Sequence, residues 1–335
     1  MSYEIQEIVK MSEGADIIAK DWLHLKRGER CLIVTTTTHI EEAHLMKQRF
    51  ELCARSVDLM VMEEKGKKVS EFFDEKETIF DDYNVIVGAA DYSIVTTKAA
   101  KRAIGRGSKF LSLPLSTNNG KSMLGFEFIK MDTKKSKMIA NVIKRYIDSG
   151  QVVHVTTKLG TDLRFYKRNR YAGFFNGDVK AGRGFSSASI EIYVAIEETE
   201  TTGTLILDGS LGYIGKVEQP FRIEIRNGQI TEIEQTPDGK RLKEYLESFE
   251  DERMYIAAEL GIGLNYLSKC EGNCYIEDES SYGSFHIGFG RNVALGGVQE
   301  ACSHFDLVTF KPDIFVDNRK IIEEGRVIIP EPQVY

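Results

Sequence analysis

The strongest constraint on how this chain folds is a change of periodicity between residues 128 and 150. Before it, short apolar runs alternate with helical patterns. Glu4 to Leu23 spreads Ile5, Ile8, Val9, Met11, Ala15, Ile17 and Ile18 over one broad helical face. Strand-length runs follow at Cys31–Thr35, Val57–Met62, Asn84–Gly88 and Lys109–Leu113, with helical stretches at Glu41–Ala54 and Ser93–Ile104. Alternation at this spacing predicts a parallel sheet covered by helices. After a helical run at Asp132–Asp148, strands dominate: Gln151–Thr157, Asp162–Tyr166, Ser189–Glu197, Gly203–Leu207, Phe221–Arg226 and Gln229–Glu234. Turns such as Asn227–Gly228 favour antiparallel hairpins there, and Lys240–Phe249 adds one helix. The expected fold is an α/β N-terminal domain with a parallel sheet over residues 1–135. A mainly antiparallel β (α+β) domain over 136–335 follows and carries the candidate chemistry. A chain of 335 residues is long enough for two such cores.

Composition excludes several classes of function. Net charge is -7 with Lys and Arg dispersed, so neither a nucleic-acid footprint nor an electrostatic hold on a membrane is expected. Apolar runs are strand-length, too short to span a bilayer, and the charged start does not read as a secretory signal. Five cysteines without a dense framework suit a reduced, cytoplasmic protein. Cys270 and Cys274 lack a second Cys pair nearby, which leaves a thiolate zinc site little support. No G-x-G-x-x-G follows a strand, and Gly105-Arg-Gly107 reads as a turn, so no dinucleotide site is expected.

Weaker polar signals are scattered elsewhere. Thr35 to Thr38 and His39 follow a strand of the α/β domain, where ligands bind in such folds, although a plain connecting loop is the simpler reading. Lys158, Asp162, Arg164 and Arg183 are surface-type residues, and the basic ones are able to orient a substrate carboxylate. The acidic run Glu197–Glu200 reads as a solvated hairpin turn.

Metal-ligand chemistry concentrates near the C-terminus. Only six histidines serve the chain, yet His286 and His304 fall close together, and His304 forms an H-x-D pair with Asp306. On a strand, residues i and i+2 share a face, so His304 and Asp306 can converge on one ion. The apolar run Leu307–Phe310 behind them supports a strand. Gly283, Gly288 and Gly290 around His286 permit a close backbone approach or a tight turn. Glu259 lies among Ile256, Ala257, Ala258, Leu260 and Ile262, so its carboxylate is expected to be partly buried, which is costly without a partner. Each of these residues alone has an ordinary structural explanation. Together they form a set of imidazoles and carboxylates suited to a divalent first-row metal, and spacing alone fits one ion or two.

Three stretches carry a family resemblance: Glu259-Leu-Gly-Ile-Gly-Leu-Asn265, Gly283-Ser-Phe-His-Ile-Gly-Phe-Gly290 and Ser303-His-Phe-Asp306. They resemble the aminopeptidase T (M29) metallopeptidase superfamily. Ala188–Ala195 with Gly203–Asp208 is similar to the segment that supplies that family's first metal glutamate, which here is Glu191. The turn Leu113-Pro-Leu-Ser116 fits loosely. The resemblance extends over most of the chain, but only 255–308 is specific. It implies metal ligands at Glu191, Glu259, His286, His304 and Asp306, with Glu259 and His286 also catalytic. Two divalent ions (Zn, Co or Mn), a homodimer and a peptide or small-molecule substrate are implied as well. The activity so implied is hydrolysis of an N-terminal peptide or small amide bond.

Two departures point to another branch. The aminopeptidases carry a tyrosine seven residues after the first metal histidine, and this chain has Val293 there; Tyr282 is the nearest alternative in sequence. Gly296-Gly297 and the shorter length resemble the mononuclear iron branch that includes 2,5-dihydroxypyridine 5,6-dioxygenase. That branch has a histidine at the position of Glu259. The alternative it implies is a single Fe(II) on His304, Asp306 and either His286 or Glu259, cleaving a dihydroxypyridine-like ring.

Overall fold

The computed structural model describes residues 3–63, 66, 69–179 and 184–329. The chain forms two compact units, one of residues 1–133 with 175–189 and one of 134–174 with 190–335.

In the first unit, α1 (Ile5–Ile17) runs into a π turn at Ile18–Trp22 and buries Met11, Ala15, Ile18 and Trp22. Then come β1 (Arg30–Thr36), α2 (Ile40–Phe50), β2 (Ser56–Met62), α3 (Val69–Glu75), β3 (Val85–Ala89), α4 (Lys98–Gly105) and β4 (Lys109–Ser112). The helix expected from Ser93 starts at Lys98, because the Thr97 hydroxyl accepts the Ala100 N–H at 3.3 Å and caps it there. Continuing the chain, α5 (Thr133–Ser149), β5 (Val152–Thr156), β6 (Asp162–Tyr166) and β7 (Gly173–Asn176) precede β8 (Gly184–Ser187). β8 pairs parallel with β4, which is why 175–189 belongs with the first unit. The resulting sheet, ordered β2-β1-β3-β4-β8, is parallel throughout. Leu32, Val34, Phe73, Phe80, Ile86 and Phe110 fill its core, as expected of parallel strands covered by helices.

The second unit is antiparallel. It adds β9 (Ile190–Ala195), β10 (Thr202–Leu207), β11 (Phe221–Arg226), β12 (Gln229–Ile233), α6 (Pro237–Glu247), β13 (Ala257–Gly263), α7 (Tyr275–Ser280), β14 (Ser284–Gly290), β15 (His304–Phe310), β16 (Asp313–Val316), β17 (Arg319–Glu323) and β18 (Arg326–Val327). One eight-stranded sheet runs β12-β11-β10-β6-β5-β16-β17-β18. Its strand β11 alternates buried and accessible residues, the pattern of a sheet wet on one face. In the other sheet, β15, β14, β13 and β9 lie side by side. Here β13 and β14 are buried at every position, so polar side chains on them must find partners inside the protein. Among the described residues, no helix is long and apolar enough to cross a membrane.

Candidate metal centre

The buried sheet puts five polar side chains in reach of one another because glycines sit between them. Glu259 on β13 and Asp306 on β15 both register against Gly288 of β14. A Cβ at Gly288 would meet His304 Cε1 at 2.7 Å, and Asp306 Oδ1 and Glu259 Cβ at 2.8 Å. His286 on β14 registers against Gly261 of β13. Its ring crosses β13 there, where a Cβ would lie 1.7 Å from Nε2, and reaches Glu191 Oε2 on β9 at 2.7 Å. A shift in the β13–β14 register between Ala257 and Glu259 marks an irregularity beside the site, a device that re-aims side chains.

Two groups of ligand atoms result, each within 4.8 Å: Glu191, Glu259 and His286; and Glu259, His304 and Asp306. Glu259 is common to both. His304 Nε2 lies 3.1 Å from Glu259 Oε2 and 3.4 Å from Asp306 Oδ2. Its Nδ1 faces the Arg291 carbonyl at 2.8 Å, which fixes Nδ1 as the donor and leaves Nε2 toward the carboxylates. Thus the structure gathers all five residues expected from sequence, with H-x-D on one strand face.

Electrostatics in the cluster reflect burial with excess negative charge. Burial raises the Glu259 carboxyl to about 7 despite its His304 partner. For His286 burial works against protonation, but Glu191, Asp306 and Glu259 outweigh it and lift the ring to about 9. His304 is held well above the usual imidazole range in the same way, by Asp306 and Glu259. Burial opposes ionisation of Asp306, yet the adjacent imidazoles and the Tyr275 hydroxyl bring it to about 2. A divalent cation suits this donor set of oxygen and imidazole ligands. The buried Asp306 Oδ1 and His286 Nδ1 have no hydrogen-bond partner among the described residues, and the glycines hold the space open.

Two groups at the centre carried no sequence signal. Tyr275, on α7, donates its hydroxyl to Asp306 Oδ2. Glu279, one helical turn on, is buried, and burial raises its carboxyl far above the usual range. Both lie 25 or more residues from His304 in sequence, on a helix too short to show a period. Tyr282 is not at the centre: it stacks on Tyr266 at 4.0 Å, accepts the Val327 N–H and lines a separate cleft of about 600 Å³ with Lys158 and Phe310. Val293 lies in a short 3-10 turn, Val293–Leu295.

The remaining expectations divide. Cys270 and Cys274 belong to neither ligand group, and burial pushes both thiols up, away from the thiolate form that zinc needs. Lys158 pairs with Glu324 and Asp162 with His154; Arg183 lies outside the described residues. The acidic run 197–200 is not simply solvated. Glu198 is buried and accepts from Arg170, from Asn292 Nδ2 at 2.9 Å and from the Val298 N–H at 3.0 Å. Its partners come from 28 residues before it and about a hundred after, so the local composition misled.

In the first unit, the strand order reverses between β1 and β3, the place where such sheets bind ligands. A cleft of about 240 Å³ opens there, lined by Thr37, Thr38, His39, Asp91 and Lys121 among others. His39 Nε2 lies 2.9 Å from Asp91 Oδ1, and Nδ1 3.6 Å from Glu42 Oε1. Burial disfavours the cation, but the two carboxylates win and raise His39 to about 9. A group raised on folding stabilises fully below its unfolded value of about 6.5 and loses that contribution as pH rises through about 9. The stability difference between wild type and His39→Gln should therefore be large at pH 6 and vanish by pH 10, as measured by urea unfolding. An equal difference at both values would count against the charged pair.

Fold and cluster together define a two-unit protein with a buried imidazole–carboxylate centre able to hold a divalent metal. The family described as "NicX: 2,5-dihydroxypyridine 5,6-dioxygenase" matches residues 129–329, and the chain belongs to that family. A 2,5-dihydroxypyridine 5,6-dioxygenase of Pseudomonas putida KT2440 is 25% identical over 221 residues, 60% of this chain and 60% of that protein. The aligned stretch thus spans less than two thirds of that relative. The solved 2,5-dihydroxypyridine dioxygenase from P. putida KT2440 superposes with a TM-score of 0.80 at 16% identity, covering 97% of this chain and 98% of that one. Wild-type AmpT from Thermus thermophilus superposes with a TM-score of 0.66 at 14% identity, covering 96% and 99%. At such identities the two structures speak for a shared fold.

Proposed function

We propose that the chain is an Fe(II)-dependent dioxygenase that cleaves a dihydroxypyridine-like aromatic ring. The observation that carries this reading is the family match over residues 129–329, which encloses every member of the metal cluster. The aminopeptidase-type hydrolase expected first from sequence is the weaker reading, since the matching family and the curated relative both carry the dioxygenase name and the position of the aminopeptidase tyrosine is Val293.

Glu259, His304 and Asp306 would hold the iron, a one-histidine, two-carboxylate set that departs from the common two-histidine facial triad. When bound, Fe(II) supplies one-electron chemistry toward dioxygen and a Lewis-acidic position for a ring hydroxyl. The protein's own part is to orient and to exclude. The Arg291 carbonyl sets the His304 tautomer, and the buried strands keep water from the carboxylates. One observation favours a second reading. Glu259 is shared between two ligand groups, so the residues would also suit a pair of adjacent divalent ions, which would supply the chemistry of a two-metal hydrolase.

Metal content after anaerobic purification, followed by titration with 2,5-dihydroxypyridine and measurement of oxygen uptake, tests both. About one iron per chain and stoichiometric oxygen uptake are expected. About two zinc, cobalt or manganese ions with no oxygen uptake would instead favour the hydrolase.

A further inference from the structure

We propose that Tyr275 is the positioning residue of the metal centre: its hydroxyl holds one oxygen of Asp306 so that the other is presented as a ligand. This rests on reading the cluster as a metal centre and is independent of which reaction the metal serves.

The geometry is asymmetric at Asp306. Oδ2 receives the Tyr275 hydroxyl and lies 3.4 Å from His304 Nε2, whereas buried Oδ1 has no hydrogen-bond partner among the described residues. A carboxylate turns about its last torsion with two broad minima, so something must choose which oxygen faces the cluster. Tyr275 is itself held from three sides. Its ring stacks on Tyr213 at 4.2 Å and 14°. Its helix α7 is tied to the segment before β11 by Ser210 Oγ donating to Asp278 Oδ2 at 2.6 Å. The other end of α7 is tied to β9, where Ile190 N–H donates to Ser280 Oγ at 2.9 Å, one residue before Glu191. This arrangement lets α7 set the angle of Asp306 without touching the ion.

Co(II) titration of chelator-treated protein tests the assignment directly, with affinity and the visible Co(II) spectrum as readouts. Tyr275→Phe keeps the ring and its stack but removes the hydroxyl, and should weaken Co(II) binding by about 10- to 100-fold, the range for losing a partner of a metal ligand. Its Co(II) spectrum should also change, which a merely structural role would not cause. Tyr213→Leu removes the stack at a half-buried position and should weaken binding to a smaller extent. Wild-type affinity and spectrum in Tyr275→Phe would overturn the proposal. Should that variant fail to fold, wild-type affinity in Tyr213→Leu would overturn it. Absence of Co(II) binding by the wild-type chain would defeat the metal-centre reading itself, and with it this one, whereas Co(II) binding without ring cleavage would leave it standing.

Discussion

Glu259→Gln should abolish metal binding and activity while leaving the metal-free protein at least as stable as wild type. Glu259 is the one residue common to both ligand groups, so its loss affects either assignment. Activity should fall by more than about 100-fold, the upper end for removing a mere supporting contact. The stability side follows from charge. Glu259 is buried beside Glu191 and Asp306, and burial is what raises its carboxyl to about 7. Without a metal, removing one of several crowded carboxylates relieves repulsion, and His304 keeps Asp306 at 3.4 Å as a charge partner, so its imidazole is not left buried and unpaired. With metal at a hundred times its Kd, wild type should gain about 2.7 kcal/mol and the variant almost nothing. Urea unfolding with chelator and with added metal reads both effects. A large loss of stability in chelator would mean that Glu259 is a structural ion-pair partner of His304 first and a ligand second.

Placing an alanine at either spacer glycine should distinguish which group holds the ion. At Gly288 the new Cβ would press on His304, Asp306 and Glu259 together, the group assigned to iron. At Gly261 it would lie 1.7 Å from His286 Nε2 and force that buried ring off Glu191. Each should destabilise the metal-free fold by about 1–3 kcal/mol, because a well-packed site cannot absorb an added methyl without shifting its neighbours. Their effects on metal should differ. Gly288→Ala is expected to eliminate iron binding, and Gly261→Ala to leave iron bound with weakened affinity. Metal analysis of the two purified variants measures this. Equal loss of two ions in both would argue for a bridged pair and return the balance to hydrolysis.

These glycines show where sequence reading reaches its limit. Gly288 is visible as one of several glycines around His286, a cluster that reads equally as a close backbone approach or a tight turn. That it separates Glu259 from Asp306 follows only from the register of three strands. Gly261 carries no sign in the sequence of its place inside β13, under an imidazole from the next strand. Glu198 carried the opposite signal, an acid in an acidic run that proves to be buried among partners distant in sequence.

What the sequence by itself determined was local: the helical and strand periods, the hairpin turns and the H-x-D pair on one strand face, whereas Glu191 joined the candidate ligands only through the family resemblance. These are legible because periodicity and i, i+2 geometry depend on near neighbours along the chain. Tertiary structure alone decided the return of β8 to the parallel sheet, the sharing of Glu259 between two groups, and the approach of Tyr275 and Glu279 to Asp306. Each of these depends on pairing or packing between residues far apart in the chain. A one-residue change of register would turn every such side chain to the opposite face.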